Sequence, residues 1–424
     1  MIRFLIKGIF RDRHRSLFPM IIIAAGVFLT TFLYSWMLGV LNEIIDGNAR
    51  FETGHVKIMT RAYEKISSQV PNDLALNGVD SILIHLKKDY PEYDWVARIK
   101  FGGLLDVPDE NGETRDQGPV MGIAIDLLGS TSTEPDRLGI RKSIVRGQMP
   151  RAPSEILVSE ELTRKLNIRI GEKVTLISAT ATGGMAVYNF TVAGTLIFGI
   201  APMDRGTMIA DIRDIQYALD MENSAGEILG FSKDGLYQSR TAMLIRDNFN
   251  HRFNKTNDEF SPVMVTLEEQ GGLGDYLQYA RSSGFIVVFI FVFAMSIVLW
   301  NTSLMSGIRR YGEIGVRLAI GESKDHIYRT LLAESVVIGI AGSIIGTALG
   351  LLLCYYFQEV GLDISGIFKN SSLMVQNVIR AQITPTTYYI GFIPGLLATL
   401  LGTAIAGIGI FKRQTATLFK ELET

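Results

Sequence analysis

The chain has 424 residues, 47% of them apolar and 20% charged, with a formal net charge of −2 and a positive mean hydropathy of +0.23. That composition excludes disordered and collagen-like classes and lies where a chain with membrane-spanning content falls, away from a wholly soluble protein. The one cysteine, Cys354, cannot form an intrachain disulfide, so a domain outside the cytoplasm must stand on its own packing.

Four stretches free of Asp, Glu, Lys and Arg exceed the roughly 20 helical residues that cross a hydrocarbon layer. They run from Ser16 to Asn42, Ser282 to Ile308, Ser335 to Gln358 and Ala381 to Phe411. Their closely placed flanking charges predict four transmembrane helices, over residues 17–42, 282–307, 330–358 and 386–411. The first follows an Arg-rich start, but its apolar run is far longer than the roughly 7 to 15 residues of a signal core, so a retained helix is expected. In the last stretch Pro385 marks the start of the helix and Pro394 is expected to kink it.

Lys and Arg in the short flanks set the orientation. Arg3, Lys7, Arg11, Arg13 and Arg15 precede the first span; Arg309, Arg310, Arg317, Lys324 and Arg329 lie between the second and third; Lys412, Arg413 and Lys420 follow the fourth. Both termini are therefore expected in the cytoplasm. Residues 1–16 become a cytoplasmic amphipathic segment, 43–281 an extracytoplasmic domain, 308–329 a cytoplasmic segment, 359–385 a short outer connection and 412–424 a cytoplasmic tail. From Glu43 to Arg281 the chain carries 26 basic and 34 acidic residues, as suits a soluble outer domain on a basic-inside anchor.

Patterning in that domain is mixed. Val79 to Tyr90 has a helical apolar face, whereas Trp95 to Val107, Glu155 to Val158, Lys173 to Ile177, Tyr188 to Phe198 and Thr207 to Ile212 are rich in β-branched residues and predict strands. Ser159 is a candidate N-cap for a short helix bearing Leu162 and Leu166, with a turn at Gly171. Asp109 to Gly112 marks a hairpin tip, and Thr182 to Met185 a second turn or loop. The expected fold class is a membrane protein of four transmembrane α-helices with a large α+β domain between the first two.

No catalytic constellation is visible. The five histidines are scattered, no HExxH or GxSxG occurs, and a single Cys cannot build a zinc site, so neither a catalytic residue nor a metal ligand is assigned. His55 is expected to lie in a strand or just before one. The charge balance gives no nucleic-acid footprint. Spans without ionisable groups argue against a proton or ion pathway. Glu334 lies near the start of the third span, where a helix N-terminus favours a carboxylate, with a role in coupling as the alternative. Gly342, Gly346 and Gly350 repeat every fourth residue and mark a face for close helix packing, either within the chain or between copies. The stretch from Ile308 to Ile320 alternates basic with apolar residues, as an interfacial segment does.

The run Glu313, Ile314, Gly315, Val316, Arg317, Leu318, Ala319, Ile320, Gly321 resembles the E-I-G-x-x-R-A-x-G signature of the FtsX-type, mechanotransmitting ABC transporter permeases, a family that includes the lipoprotein-releasing permeases and the MacB-type pumps. The resemblance extends over the architecture, and over Glu334, Ser335, Gly339, Gly342 and Gly346 of the third span. The region from Gly39 to Ile58, ending TGHVKI, looks like the lipoprotein-releasing branch. The resemblance implies a MacB-like periplasmic domain and a multi-pass protein of the bacterial inner membrane. It also implies a coupling helix within Ile308 to Gly321 that docks on a separate cytoplasmic ATPase dimer. Arg310, Glu313, Ile314, Gly315, Arg317 and Gly321 would carry that contact, with Glu313 and Arg317 four apart on one helix face. No phosphate loop occurs in the sequence, so ATP and Mg are expected on the partner and no cofactor on this chain. A second permease chain, identical or related, and an outer carrier or adaptor are further implied partners, along with membrane lipids. The implied cargo is a lipoprotein or another amphipathic substrate. Efflux or peptide export, and a non-transport receptor or scaffold, are the alternatives.

Overall fold

The computed structural model describes residues 13–199, 201–253, 258–309, 316–363 and 378–412. They form two compact units. One joins Met1–Asn42, Gln278–Leu362 and Ile379–Thr424; the other joins Glu43–Leu277 and Asp363–Val378.

The first unit is built on long helices: α1 (Arg13–Asn48), α2 (Leu273–Arg309), α3 (Lys324–Glu359) and α4 (Phe392–Lys412). Three candidate spans are long and apolar enough to cross a membrane among the described residues: Leu17–Thr53, Lys324–Glu359 and Thr387–Ile405. The expected count of four is therefore not reached by this measure. The second charge-free stretch lies in α2, where the described apolar run is the shorter Phe289–Val298. Ser323 starts α3, its side chain accepting from the backbone of His326. The chain before α4 makes one turn, Thr387–Ile390, and breaks at Gly391. Pro394 then falls in the first turn of α4, just after the interruption at Gly391, where its missing N–H leaves no bond of α4 itself unmade.

The second unit is organised on ten strands: β1 (Val56–Thr60), β2 (Tyr93–Pro108), β3 (Thr114–Ile125), β4 (Ile144–Gly147), β5 (Glu155–Ser159), β6 (Lys173–Ala179), β7 (Met185–Leu196), β8 (Thr207–Asp211), β9 (Glu227–Ser232) and β10 (Pro262–Thr266). Their order is β10-β1-β9-β2-β3-β8-β5-β7-β4, with β6 bridging β2 and β7. The β3/β8 and β5/β7 pairs are parallel and the others antiparallel. The β2/β3 hairpin turns where Asp109 accepts the backbone N–H groups of Asn111 and Glu113, and Gly112 takes a φ of 85°. Ser159 caps the helix Glu160–Lys165 by accepting from Leu162. The strand expected to reach Ile212 stops at Asp211, whose carboxylate caps the helix Ile212–Ala218 instead. Alternation along β5 and β8 splits the core: Ile156, Val158, Met208 and Ala210 join one cluster with Trp95 and Phe190, while Leu157 and Ile209 join a second with Phe198 on the other face.

Candidate functional site

The run expected to couple to an ATPase lies between α2 and α3. Arg310, Glu313, Ile314 and Gly315 fall outside the described residues. Beyond them the chain makes a helical turn in which the N–H of Gly321 donates to Leu318 O and that of Glu322 to Arg317 O. Gly321 has a φ of +97°, a backbone position that any side chain would strain, so the glycine stops this turn and frees Ser323 to cap α3. Arg317 is half-buried, with its Nε 3.9 Å from a Glu322 carboxylate oxygen, and Glu322 also lies 3.6 Å from His326. Glu322 was not singled out by sequence reasoning. Val316 and Ile320, four residues apart, are 57% and 81% exposed. The turn thus presents apolar side chains beside a guanidinium, a surface suited to a protein partner.

Glu334 sits about three turns inside α3, because that helix begins at Lys324 and its first turn is served by Asp325. The helix-terminus explanation for this carboxylate fails on that geometry, since the dipole's effect fades within the first turn.

The glycine face of α3 lies against α1 of the same chain. A Cβ on Gly342 would stand 2.8 Å from Ile23, one on Gly346 2.5 Å from the Ala24 carbonyl, and one on Gly350 2.9 Å from Thr31. Helix α4 and the turn before it close the same seam. A Cβ on Gly391 would lie 2.8 Å from the Thr31 hydroxyl and 3.1 Å from that of Thr347, and Gly395 faces Ser343. Gly391 and Gly395 were missed, although their spacing of four, with Ser343 and Thr347 likewise, is the small-residue signal that marked α3.

Sequence reasoning also missed the place where α1 ends. Within the second unit the helix gives way to a π-turn, Ala49–Thr53, closed by Gly54 at a φ of 61°. Arg98 of β2 is fully buried and donates from Nη1 to the Arg50 carbonyl at 2.6 Å. Its Nε and Nη2 donate to the two carboxylate oxygens of Glu134 at 2.6 and 3.2 Å. Glu134, also fully buried, is shared with Arg137, which pairs with Asp94 and lies 4.0 Å over the Phe231 ring. The returning chain is tied to the same turn: Gln270 Nε2 donates to Thr53 O at 3.3 Å, and the Leu267 N–H donates to His55 O at 3.1 Å.

Two other buried polar groups lie in the same unit. Glu227 pairs with Lys57 at 2.9 Å and with Lys100 at 3.4 Å; burial opposes its charge, but the two lysines prevail and hold its carboxyl below the usual range. His55 stands just before β1, buried, its Nδ1 accepting the Ser232 N–H at 3.0 Å; burial pushes its pKa down to about 4, against the pull of Asp234. It is a neutral structural acceptor at neutral pH. Among the described residues no group of three or more His, Cys, Asp or Glu is arranged to hold a metal.

Comparison with known proteins agrees with the membrane half of this arrangement. Residues 285–415 match the family model described as the FtsX-like permease C-terminal domain. The lipoprotein-releasing system transmembrane protein LolC of Haemophilus influenzae is 22% identical over 262 residues, covering 60% of this chain and 61% of that protein. The macrolide export ATP-binding/permease protein MacB of Shewanella sp. (strain ANA-3) is 34% identical over 74 residues, 18% of this chain and 11% of that protein. The chain thus spans about three fifths or less of the length of these relatives. Among solved structures, the periplasmic region of MacB from Actinobacillus actinomycetemcomitans aligns over 54% of this chain and 95% of its own, with 10% identity and a TM-score of 0.37.

Proposed function

Taking as premise that the chain is an FtsX-type permease of the LolC and MacB kind, we propose that it is the non-catalytic membrane subunit of an ABC transporter, driven by a separate cytoplasmic ATPase dimer. ATP and Mg would be bound by that partner. The observation that carries this reading is the loop between α2 and α3, where Val316 and Ile320 are exposed beside Arg317 on a turn terminated by Gly321. Apolar side chains around a guanidinium are the make-up of a protein-binding surface, which supports a docking partner. Arg310, Glu313, Ile314 and Gly315 complete the docking element, and Glu334 lies on the helix that leaves it.

The permease sits in the bacterial inner membrane with both termini in the cytoplasm and residues 43–281 in the periplasm. It works as a dimer, either of this chain or with a related permease, and hands its cargo to an outer carrier. Lipoprotein release is the favoured activity, because the alignment with the lipoprotein-releasing system protein covers 60% of this chain. Export of another amphipathic molecule is the second reading, supported by the higher identity to MacB over a shorter stretch. Depleting the chain in its own cell and fractionating the two membranes tests the choice. Lipoproteins retained in the inner membrane support release; normal lipoprotein sorting with increased sensitivity to exported compounds supports the second reading.

A further inference from the structure

We propose that Arg98 is a positioning residue that fixes the exit turn of α1 to the centre of the external sheet, so that displacement of this turn is carried into β2. The inference rests on the permease reading only for the motion it transmits; the clamp itself stands on the geometry.

A helix end leaves its last carbonyls without partners, and a cation there is favoured by the helix dipole. Arg98 meets both conditions, donating to Arg50 O at 2.6 Å and reaching Phe51 O at 3.5 Å. The rest of its fork is occupied by Glu134, so the guanidinium plane has one orientation available. Glu134 leads on to Arg137, which stacks over Phe231 of β9, the strand paired with β2 through Glu227 and Arg98 themselves. The turn is therefore held by two neighbouring strands and by the segment Glu134–Arg137. The chain returning from the domain, just past the short turn Leu267–Glu269, is tied to the same five-residue turn through Gln270 and Thr53. Both ends of the external unit thus meet at one anchored place. Buried ion pairs are often no more stabilising than apolar residues of similar size. Spending a fully buried guanidinium on the carbonyls of a helix exit is explained by position rather than by stability.

The test uses the full-length chain with whatever ATPase co-purifies, in lipid nanodiscs, comparing wild type, Arg98→Lys and the double variant Arg98→Met/Glu134→Gln, which leaves neither charge buried alone. Amide hydrogen exchange is read over residues 49–55 and, as reference, over β5 to β8. ATP hydrolysed per lipoprotein released is read in parallel. We expect exchange at 49–55 to rise about tenfold or more in the double variant and less in Arg98→Lys, the scale of losing a charge-assisted hydrogen bond. The reference strands should keep their protection, and release per ATP should fall several-fold with hydrolysis retained. Unchanged exchange at 49–55, an equal rise over the whole sheet, or unchanged release per ATP with a loosened turn would each overturn the proposal. Absence of ATP-dependent lipoprotein release in the wild type would instead defeat the lipoprotein-release reading, and the exchange measurement would then decide the clamp alone.

Discussion

Ser35 and Gln382 hold each other by two bonds: the Gln382 N–H donates to the Ser35 carbonyl at 3.0 Å, and the Ser35 hydroxyl donates to the Gln382 carbonyl at 2.6 Å. Asn42 adds a bond to the Gln382 side chain, and Gln358 of α3 accepts the N–H of Ile383 at 3.1 Å. The segment leading to α4 is thus stapled to α1. Gly39 makes the approach possible, because the Arg380 carbonyl occupies the space a Cβ would need.

That staple predicts opposite outcomes for two glycines of one helix. Gly39→Ala should destabilise the full chain by roughly 1–3 kcal/mol through backbone collision. Gly47→Ala, where nothing lies within 4 Å, should be neutral or stabilising, since alanine is the better helix former by about 1 kcal/mol. Thermal unfolding of the detergent-solubilised protein separates the two; equal effects would remove the latch from the account.

Along α3, Gly346→Ala would press a methyl group against the Ala24 carbonyl, a backbone atom that cannot rotate away. A lowered thermal midpoint is expected, with a further loss for Gly346→Val. An unchanged midpoint for both would mean that α1 and α3 do not pack through this face.

His55 gives a pH dependence of definite sign. Its pKa of about 4 in the folded chain lies below the ordinary 6.5, so the unfolded chain binds the proton more readily. Stability from this group is full above about pH 6.5 and is lost as pH falls toward 4, by up to about 3 kcal/mol. Denaturant midpoints at pH 7 and 4.5 should therefore fall less for His55→Asn than for wild type. Equal losses would show that another group governs the acid limb.

Local features of this fold are written in short stretches of sequence, and long-range ones are not. The charge-free runs marked the long helices because an apolar helix must be bounded by charge to stay in register with a membrane. Ser159 and the turn at Asp109 to Gly112 were legible because caps and turns are made by residues a few positions apart. Arg98 and Glu134 lie 36 positions apart, and Lys57 and Glu227 170, so their pairing depends on a sheet order that no local pattern encodes. Helix starts were misplaced for a related reason. Residues 324–334, interrupted by the charges of Lys324, Asp325, Arg329 and Glu334, continue α3 ahead of its charge-free run, which moved Glu334 from the first turn to the third. The Glu313 to Gly321 pattern was visible in the sequence, and among the described residues its geometry runs from Val316 onward.

Affinity purification of the full-length chain from its native membrane in mild detergent, with mass spectrometry of the co-purifying proteins, tests most directly whether the segment from Ile308 to Gly321 docks on a separate ATPase. The account predicts a stoichiometric phosphate-loop ATPase with the wild-type chain, and loss of that ATPase with Glu313→Lys while the variant still inserts in the membrane. Recovery of folded wild-type chain without an ATPase, or undiminished association of the ATPase with Glu313→Lys, would contradict it.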